Sequence, residues 1–437
     1  MHATFPAARN AARRADAALA WFAGSRRALL LIWALFVLPR LGVLLIEVLP
    51  TSDAAWYVDR ATSLAAGLGY LEKGEPTAFW PPGWPLALSV VFRLAGPSTM
   101  AIGLFNLASA VLTGWLTLAL GRRLFGGEAA ARMGLLLLAV YPNSIGYVPL
   151  GLTEVFYTAL LMAGCWLLVT RRSAWMLIPV GVIFGVATLV KAQTLVVVPL
   201  LFAIEWLRAG DVWRRVPGLV LQGTLVLAVA ALTVLPWSMR NHQQIGHWVA
   251  VSTNGGFTLL TGNNDSATGD YTPADPVVTA LMARPGLDEV ARDAEAKRLG
   301  MAWIAANPGK FVMLMPKKLA RLWLPDGEAE WAYQGGHPAY ARREGLFRAV
   351  RYANQAYYGL LMLGFAAAFF VMVARRHRAG ERWIDWWLVP YGVAVYLSLI
   401  AVVFSGQSRF HYPVMPLVCM TVGWLLADLM QRAARRA

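Results

Sequence analysis

Charged residues are scarce in this 437-residue chain. They make up 14% of it, against 58% hydrophobic residues, and the mean hydropathy is +0.52. Soluble domains carry about 25% charged residues. A chain of this length has more apolar surface than globular cores can bury, so the composition excludes an ordinary soluble protein. It predicts an all-α polytopic membrane protein.

Cysteine is nearly absent. Cys165 and Cys419 are the two cysteines, and both lie inside apolar runs. This excludes a disulfide framework, and no Cys or His spacing is typical of a metal site. We therefore predict that no cofactor is required. A divalent cation stays compatible with the sequence but is not indicated by it.

Lysine is also rare, with six residues against 33 arginines, yet the formal net charge is +15. Nucleic acid is the usual partner of so basic a soluble protein, but here the positive charge flanks apolar runs and is better explained by membrane orientation. Arg13, Arg14, Arg26 and Arg27 precede the first run, 28–48. That run lacks a small-x-small cleavage site, which favours a retained span over a signal peptide.

Ten segments approach the roughly 20 apolar residues that cross a bilayer, with eleven or twelve spans as the alternative. They are 28–49, 99–121, 131–148, 154–170, 174–190, 193–208, 216–238, 356–374, 384–404 and 411–430.

Arginine clusters fix the direction of these spans. Alternation from a cytoplasmic N-terminus places five clusters on the cytoplasmic side, namely Arg122/Arg123, Arg171/Arg172, Arg208/Arg214/Arg215, Arg375/Arg376/Arg378 and Arg432/Arg435/Arg436. The short turns on the other side carry almost no Lys or Arg, which satisfies the positive-inside rule. Both termini are therefore predicted to be cytoplasmic, with 50–98 and 241–355 outside.

Three parts follow from this topology. Residues 1–240 form an N-terminal membrane module that includes the first outer loop, 241–355 an outer segment, and 356–437 the C-terminal spans. Within the outer stretches, 84–95 is too short to cross and 311–323 is amphipathic, so both are predicted to lie at the membrane interface. A further helix is predicted over 287–306.

Five charged residues at span ends fall on the outer side: Asp53, Glu154, Lys191, Arg240 and Arg409. Two carboxylates and three cations at one surface are what a site for an anionic substrate requires. Each has an equally weighted structural alternative. Asp53 would N-cap a helix of the outer loop, and Glu154 would favour the positive N-terminus of its own helix, with Thr153 as the cap. The cations would anchor spans at the interface.

Arg40 lies in the middle of the first span, where an isolated charge costs at least about 2.5 kcal/mol. Two explanations remain open from the sequence: Arg40 lines a cavity, or it pairs with Glu47.

The first outer loop carries a recognisable pattern: Asp53, Tyr57, GLGY at 67–70 and FWPPGWP at 79–85. It resembles the first loop of GT-C glycosyltransferases, and most closely that of the protein O-mannosyltransferase and lipid A aminoarabinose transferase (ArnT-like) group. Further pieces follow in family order, namely Thr153-Glu154, the 185–191 turn, Arg240-Asn241, 254–264 and 267–271. Together they cover most of residues 28–271.

Two positions depart from the family pattern. Ala54 follows Asp53 where relatives often have an Asp-Glu pair, and Trp80 replaces the Lys of the aminoarabinose group. The resemblance therefore does not carry over the sugar.

The resemblance implies an inverting transfer of a sugar from a polyprenyl-phosphate donor to a lipid, glycan or protein acceptor outside a bacterial inner membrane. It implies Asp53 as general base, and Glu154 as a second carboxylate that orients the sugar or acceptor. Lys191, Arg240 and Arg409 would hold the phosphate. Tyr57, Asn263 and Asn264 would line the sugar pocket. Membrane lipids are expected as further partners, and nucleic acid is not.

A transporter or flippase for a lipid-linked or anionic substrate is the alternative from another class. Transporters place charges near the bilayer midplane, often between repeats, whereas no repeat is visible here. A non-catalytic assembly protein of the cell envelope would leave Asp53 and the 79–85 loop without a role.

Overall fold

The structure is a computed structural model that describes residues 17–209 and 212–436. Arg13 and Arg14 lie outside the described residues. The fold is almost entirely helical, as the sequence predicts. The one sheet within these described ranges is a small antiparallel pair, β1 (Leu71–Glu72) and β2 (Glu75–Pro76).

The helices of the N-terminal half are α1 (Ala17–Gly24), α2 (Arg26–Val43), α3 (Ser52–Ala65), α4 (Gly83–Ala95), α5 (Thr99–Phe125), α6 (Glu128–Ala139), α7 (Pro142–Gly146), α8 (Glu154–Thr170), α9 (Leu177–Val190), α10 (Val197–Arg208) and α11 (Val212–Ile245). Those of the C-terminal half are α12 (Gly255–Gly262), α13 (Pro276–Ala283), α14 (Glu289–Ala306), α15 (Pro308–Trp323), α16 (Ala329–Gly336), α17 (Tyr340–Arg378), α18 (Val389–Val403) and α19 (Met415–Arg436). Short 3-10 helices cover Ala174–Met176, Ala192–Val196, Trp386–Leu388 and Ser408–Val414.

All ten segments predicted as spans are helical. By length and apolar composition, five helices of the described chain are long enough to cross a membrane, or six if α1 and α2, which meet at 70°, form one bent span. Helices α4, α8 and the 174–190 stretch are apolar but shorter. The predicted span 131–148 is divided into α6 and α7, because Pro142 begins a new helix. A chain of multiple membrane helices is confirmed, whereas the count of ten stays a prediction.

Helix α19 lies at the centre of the bundle, between α6, α5 and α17. It approaches α6 at two glycines: a Cβ on Gly423 would lie 2.4 Å from the backbone nitrogen of Gly134. Small residues allow membrane helices to pack this closely, and van der Waals contact then holds them together.

Arg40 has neither of the roles left open by the sequence. Its guanidinium is fully buried and donates to the carbonyl oxygens of Phe36, Leu138 and Ala139 and to the hydroxyl of Ser144. No ion pair joins Arg40 to Glu47 in the described chain. The side chain instead satisfies carbonyls at the end of α6, which no longer have helical partners, and so joins α2 to α6.

Residues 241–355, the predicted outer segment, pack onto the predicted first outer loop, 50–98, and onto the C-terminal helices. The Glu289 carboxylate accepts from the Thr77 hydroxyl, the Ala78 N–H and the Thr253 hydroxyl. The predicted helices at 287–306 and 311–323 are α14 and α15. The predicted boundaries after residues 240 and 355 fall inside α11 and α17, which continue unbroken through them.

Candidate active site

Asp53 stands at the start of α3, just past the first span. Ser52 has a positive φ of 50°, and Thr51 is the N-cap residue but makes no side-chain cap hydrogen bond. The Asp53 carboxylate turns to Arg409 instead, with Oδ2 2.7 Å from Nη1. The helix-capping alternative for Asp53 is therefore wrong.

Arg409 is held by a carboxylate from the outer segment. Glu328 accepts the backbone N–H groups of Ser408 and Arg409, at 3.3 and 2.9 Å, and fixes the start of the Ser408–Val414 3-10 helix. The guanidinium Nε donates to Gln407 at 2.9 Å, and Nη1 donates to Asp53. The side chains of Arg409 and Asp53 are 19% and 21% exposed, so this ion pair is partly open to solvent.

Glu154 and Lys191 form a second pair beside the first. Glu154 begins α8 and is 2% exposed, and its Oε1 lies 3.3 Å from Lys191 Nζ. Lys191 follows α9, and its ammonium lies over the rings of Tyr157 and Phe410. Phe410 is the neighbour of Arg409, so the two ion pairs belong to one cluster.

The turn at residues 80–83 (WPPG) packs close to this cluster, and its glycine makes the close approach possible. A Cβ on Gly83 would lie 2.7 Å from the backbone carbon of Leu189, two residues before Lys191. Real Cβ atoms essentially never approach a backbone so closely. The turn thus packs directly on the end of α9.

Tyr57 lies one turn after Asp53 on α3 and faces both carboxylates. Burial, followed by the negative charges of Asp53 and Glu154, raises the pKa of Tyr57 above its usual value. Its ring packs at 5.2 Å on Trp80, which in turn contacts Trp56 at 4.8 Å. Trp80, which stands where the aminoarabinose group has a lysine, therefore builds an aromatic wall beside the two carboxylates.

Residues 254–271 reach the cluster through Tyr271. Burial and the charge of Asp53 raise the pKa of the Tyr271 hydroxyl, while Arg409 opposes the shift. Asn263 and Asn264 are buried, and both amides are used inside the protein. Asn263 donates to the Leu259 and Val403 carbonyls and accepts from Lys318. Asn264 donates to the Leu260 and Thr261 carbonyls and to the Thr272 hydroxyl, and it accepts from the Ser266 N–H.

Arg240 is likewise engaged in internal contacts. Its two terminal nitrogens donate to the carbonyl oxygens of Thr77 and Tyr70, each at 2.8 Å, and its guanidinium lies over Trp237. These contacts join the end of α11 to the small β-hairpin of the first outer loop. The predicted phosphate cradle is thus brought together at Lys191 and Arg409, whereas Arg240 lies against the loop backbone.

A buried network next to Arg409 was not predicted from the sequence. The Asp326 carboxylate accepts hydrogen bonds from Tyr141, Asn143 and Asn354, at 2.5 to 2.8 Å, and its Oδ1 lies 3.1 Å from His411 Nε2. His411 stacks between Trp323 and Tyr358. Its Nδ1 contacts the Leu322 carbonyl oxygen. The only sequence signal was a histidine two residues after Arg409.

Two buried hydroxyls, those of Tyr147 and Ser408, have no hydrogen-bond partner in the described chain. Ser408 adjoins Arg409, and the ring of Tyr147 packs at a tilt against Tyr412 of the same 3-10 helix, with ring centroids 4.5 Å apart. Both are therefore candidates to contact a bound substrate. Among the described residues, no group of three or more His, Cys, Asp or Glu side chains could hold a metal ion.

The arrangement places one partly open carboxylate, one buried carboxylate and two cations around an aromatic wall. Such a site can bind an anionic group through its cations. The carboxylate can accept a proton from a nucleophile held beside it.

Comparison with known proteins gives matches for part of the sequence and for nearly all of the fold. Residues 80–237 match the family model for dolichyl-phosphate-mannose-protein mannosyltransferase. The undecaprenyl phosphate-alpha-4-amino-4-deoxy-L-arabinose arabinosyl transferase 1 of Pseudomonas fluorescens (strain Pf0-1) is 28% identical over 191 residues, which cover 40% of this chain and 30% of that protein.

Among solved structures, the Archaeoglobus fulgidus oligosaccharyltransferase superposes on 94% of this chain with a TM-score of 0.57, at 12% sequence identity. Its complex with an inhibitory peptide and a dolichol-phosphate gives 0.55 over the same share of this chain, again at 12% identity. The resemblance to GT-C glycosyltransferases is confirmed. It holds for the fold along almost the whole chain. The chain spans about half the length of the oligosaccharyltransferase and under a third of the curated relative.

Proposed function

We propose that the protein is an integral-membrane inverting glycosyltransferase. It moves a sugar from a polyprenyl-phosphate donor to a lipid, glycan or protein acceptor on the outer side of a bacterial inner membrane. The observation that carries the proposal is the Asp53–Arg409 pair beside the Glu154–Lys191 pair, in a chain with the GT-C fold. The matching family model and the bacterial relative are both named for sugar donors linked to a lipid phosphate, and the proposal extends this donor class to the present chain.

The reaction explains the types of residue in the cluster. The acceptor hydroxyl or amine attacks the anomeric carbon, its proton passes to the Asp53 carboxylate, and the bond to the phosphate oxygen breaks. The lipid phosphate leaves with that electron pair. A phosphate needs little protonation as a leaving group, so cations that neutralise its charge suffice.

The two ion pairs couple donor binding to the base. In the structure, the guanidinium of Arg409 donates to the Asp53 carboxylate and occupies the oxygen Oδ2. A donor phosphate is a competing anion for Arg409. Its arrival draws the guanidinium from Asp53 and leaves the carboxylate free to accept the acceptor's proton. Lys191 completes the phosphate contact, while Glu154 orients the sugar or the acceptor.

Arg240, Asn263 and Asn264 have revised roles in this proposal. Their polar atoms are bonded to the protein itself, so we assign them to positioning the loops that surround the site. Tyr57, Trp80 and Tyr271 form the aromatic side of the sugar pocket. A divalent cation is not part of the proposed steps, and its role stays open to test by chelation.

Asp53→Asn tests the base. Asparagine keeps the shape of the side chain but cannot accept the proton, so turnover should fall by roughly two to four orders of magnitude. Donor binding should be retained or strengthened because Arg409 loses a competing anion. Transfer is measured with a short-chain polyprenyl-phosphate sugar and purified protein.

Asp59→Asn is the matched control, because Asp59 lies on the same helix with its side chain 74% exposed. This variant should transfer at the wild-type rate. Normal turnover in Asp53→Asn would show that Asp53 is not the base and would move the test to Glu154.

A further inference from the structure

A second charged cavity lies at the opposite end of the same helices. Its volume is about 620 Å³, and six arginines line it: Arg123, Arg171, Arg172, Arg208, Arg214 and Arg215. Helix α8 runs from one site to the other, because Glu154 is its first residue and Arg171 follows its last residue. Seventeen helical residues rise about 25 Å, so the cavity lies far from the Asp53–Arg409 pair.

The arginines of the cavity come from four separate places in the sequence. Arg123 lies in the last turn of α5, Arg171 and Arg172 follow α8, Arg208 ends α10, and Arg214 and Arg215 lie in the first turn of α11. Orientation in the membrane requires basic loops but does not require that they converge on one space. Their convergence is therefore a feature of the fold.

Internal partners neutralise only part of this charge. Arg171 pairs with Glu205 and donates to Gln222, and Arg208 pairs with Asp385 at 3.0 Å. Within the described residues, no carboxylate lies within the 4 Å of an ion pair from Arg123, Arg172, Arg214 or Arg215. Four guanidinium groups around one cavity repel each other, and an anion bound among them would remove that cost.

Guanidinium groups bind phosphate oxygens in bidentate geometry, so a phosphate group is the chemistry that best fits the cavity. Two exposed indoles beside the cavity favour a membrane lipid as the source of this phosphate. Trp175 is 68% exposed and Trp213 82% exposed, and they adjoin the lining residues Ala174 and Arg214. Exposed tryptophans are typical of the headgroup level of a bilayer.

We propose that this cavity binds the phosphate headgroup of an anionic membrane lipid. Basic pockets between helices at the cytoplasmic side of membranes bind such headgroups. The inference is independent of the glycosyltransferase proposal, because it concerns a different end of the bundle and its test does not measure transfer.

The test measures lipid binding to the full chain in neutral detergent. Dioleoyl phosphatidylglycerol is titrated, and bound lipid is counted by native mass spectrometry, with zwitterionic dioleoyl phosphatidylcholine as the comparison lipid. A basic side chain beside the headgroup of an anionic lipid changes binding about five-fold. The R214Q/R215Q variant should therefore bind phosphatidylglycerol roughly 25-fold more weakly, and R214K/R215K should lie between it and the wild type.

R26Q/R27Q is the matched control. Arg26 and Arg27 are also adjacent, exposed and at a helix start, but they do not line the cavity. This variant should bind like the wild type. Wild-type binding by R214Q/R215Q, or an equal loss in R26Q/R27Q, would overturn the proposal. Displacement of the lipid by inorganic phosphate at similar concentrations would assign the cavity to a soluble phosphate and overturn its lipid source.

Discussion

In the proposed mechanism, Arg409 leaves Asp53 and binds the phosphate of the donor. Arg409→Gln should weaken binding of a short-chain polyprenyl phosphate about ten- to a hundred-fold, because a charge-assisted contact is worth roughly 1.5–3 kcal/mol. Arg409→Lys keeps the charge but loses the fixed fork of donors, so its affinity should lie between the two. Calorimetric titration of purified protein measures the effect.

Arg321→Gln serves as the control for this affinity change, because Arg321 lies on α15 and makes no ion pair in the described part of the chain. It should bind the donor normally. An unchanged donor affinity in Arg409→Gln would remove Arg409 from the phosphate cradle.

Glu154 and Lys191 allow structural and chemical roles to be separated. Each single variant, Glu154→Gln or Lys191→Gln, leaves one charge unpaired in a site where the side chains are 2% and 15% exposed. Loss of one partner of a buried pair costs about 3–5 kcal/mol. The double variant removes both charges, so its melting temperature should recover towards the wild-type value while transfer stays impaired.

The exposed pair Glu344 and Arg348 is the control for this cycle, with side chains 48% and 59% exposed. Its single and double variants should change the melting temperature little and additively. Recovery of transfer together with stability in the Glu154/Lys191 double variant would show that the pair is only structural.

At the scale of elements, the 3-10 helix Ser408–Val414 is the part that brings Arg409 to α3. It is fixed by two acids of the outer segment, Glu328 at its first residue, Ser408, and Asp326 at its middle residue, His411. Burial disfavours the charged form of Asp326. The hydrogen bond and charge of His411, with the hydrogen bonds of Tyr141 and Asn354, outweigh burial and hold the pKa of Asp326 below its usual value.

A lowered pKa in the folded state gives a stability contribution with a definite pH range. It is fully present above the pKa of about 4 of an unfolded aspartate, and it is lost as the pH falls through the lowered native value. Asp326→Asn should therefore unfold at a lower temperature than the wild type at pH 7. The difference between the two melting temperatures should shrink below about pH 4.

Thermal unfolding in an acid-tolerant detergent between pH 3 and pH 7 measures this difference. Asp265→Asn is the control, because that carboxylate is 73% exposed and pairs with Lys310 on the surface. It should follow the wild-type curve. A pH-independent difference for Asp326→Asn would mean that the Asp326 charge does not stabilise the fold.

The same element shows what the sequence could and could not predict. Long apolar runs reveal helices because their signal is local, and all ten predicted segments are helical. Asp53, Glu154, Lys191 and Arg409 could be found because charges are conspicuous at span ends. Asp326 could not, since its partners are Tyr141, Asn354 and His411, and no local pattern relates residues so far apart. Arg240 and Asn263 were predicted as ligand contacts because a sequence does not show which polar side chains bind backbone carbonyls.

For the whole molecule, the two charged sites at opposite ends of α8 predict how the bundle is oriented in the membrane. The positive-inside rule predicts that the arginine-rich cavity faces the cytoplasm and that the Asp53–Arg409 cluster and the segment 241–355 lie outside. Both termini would then be cytoplasmic. This direction matters for function, because the proposed donor and acceptor meet on the outer side.

Single cysteines test this direction. Ser266 is exposed in the outer segment, and Ala379 follows α17 among the arginines of the other end. The native Cys165 and Cys419 are buried and should give little background. A membrane-impermeant maleimide added to intact spheroplasts should label Ser266→Cys but not Ala379→Cys, and permeabilised cells should label both. Labelling of Ala379→Cys in intact spheroplasts would show that the bundle has the opposite orientation in the membrane. The proposed transfer would then have to use a donor in the cytoplasmic leaflet.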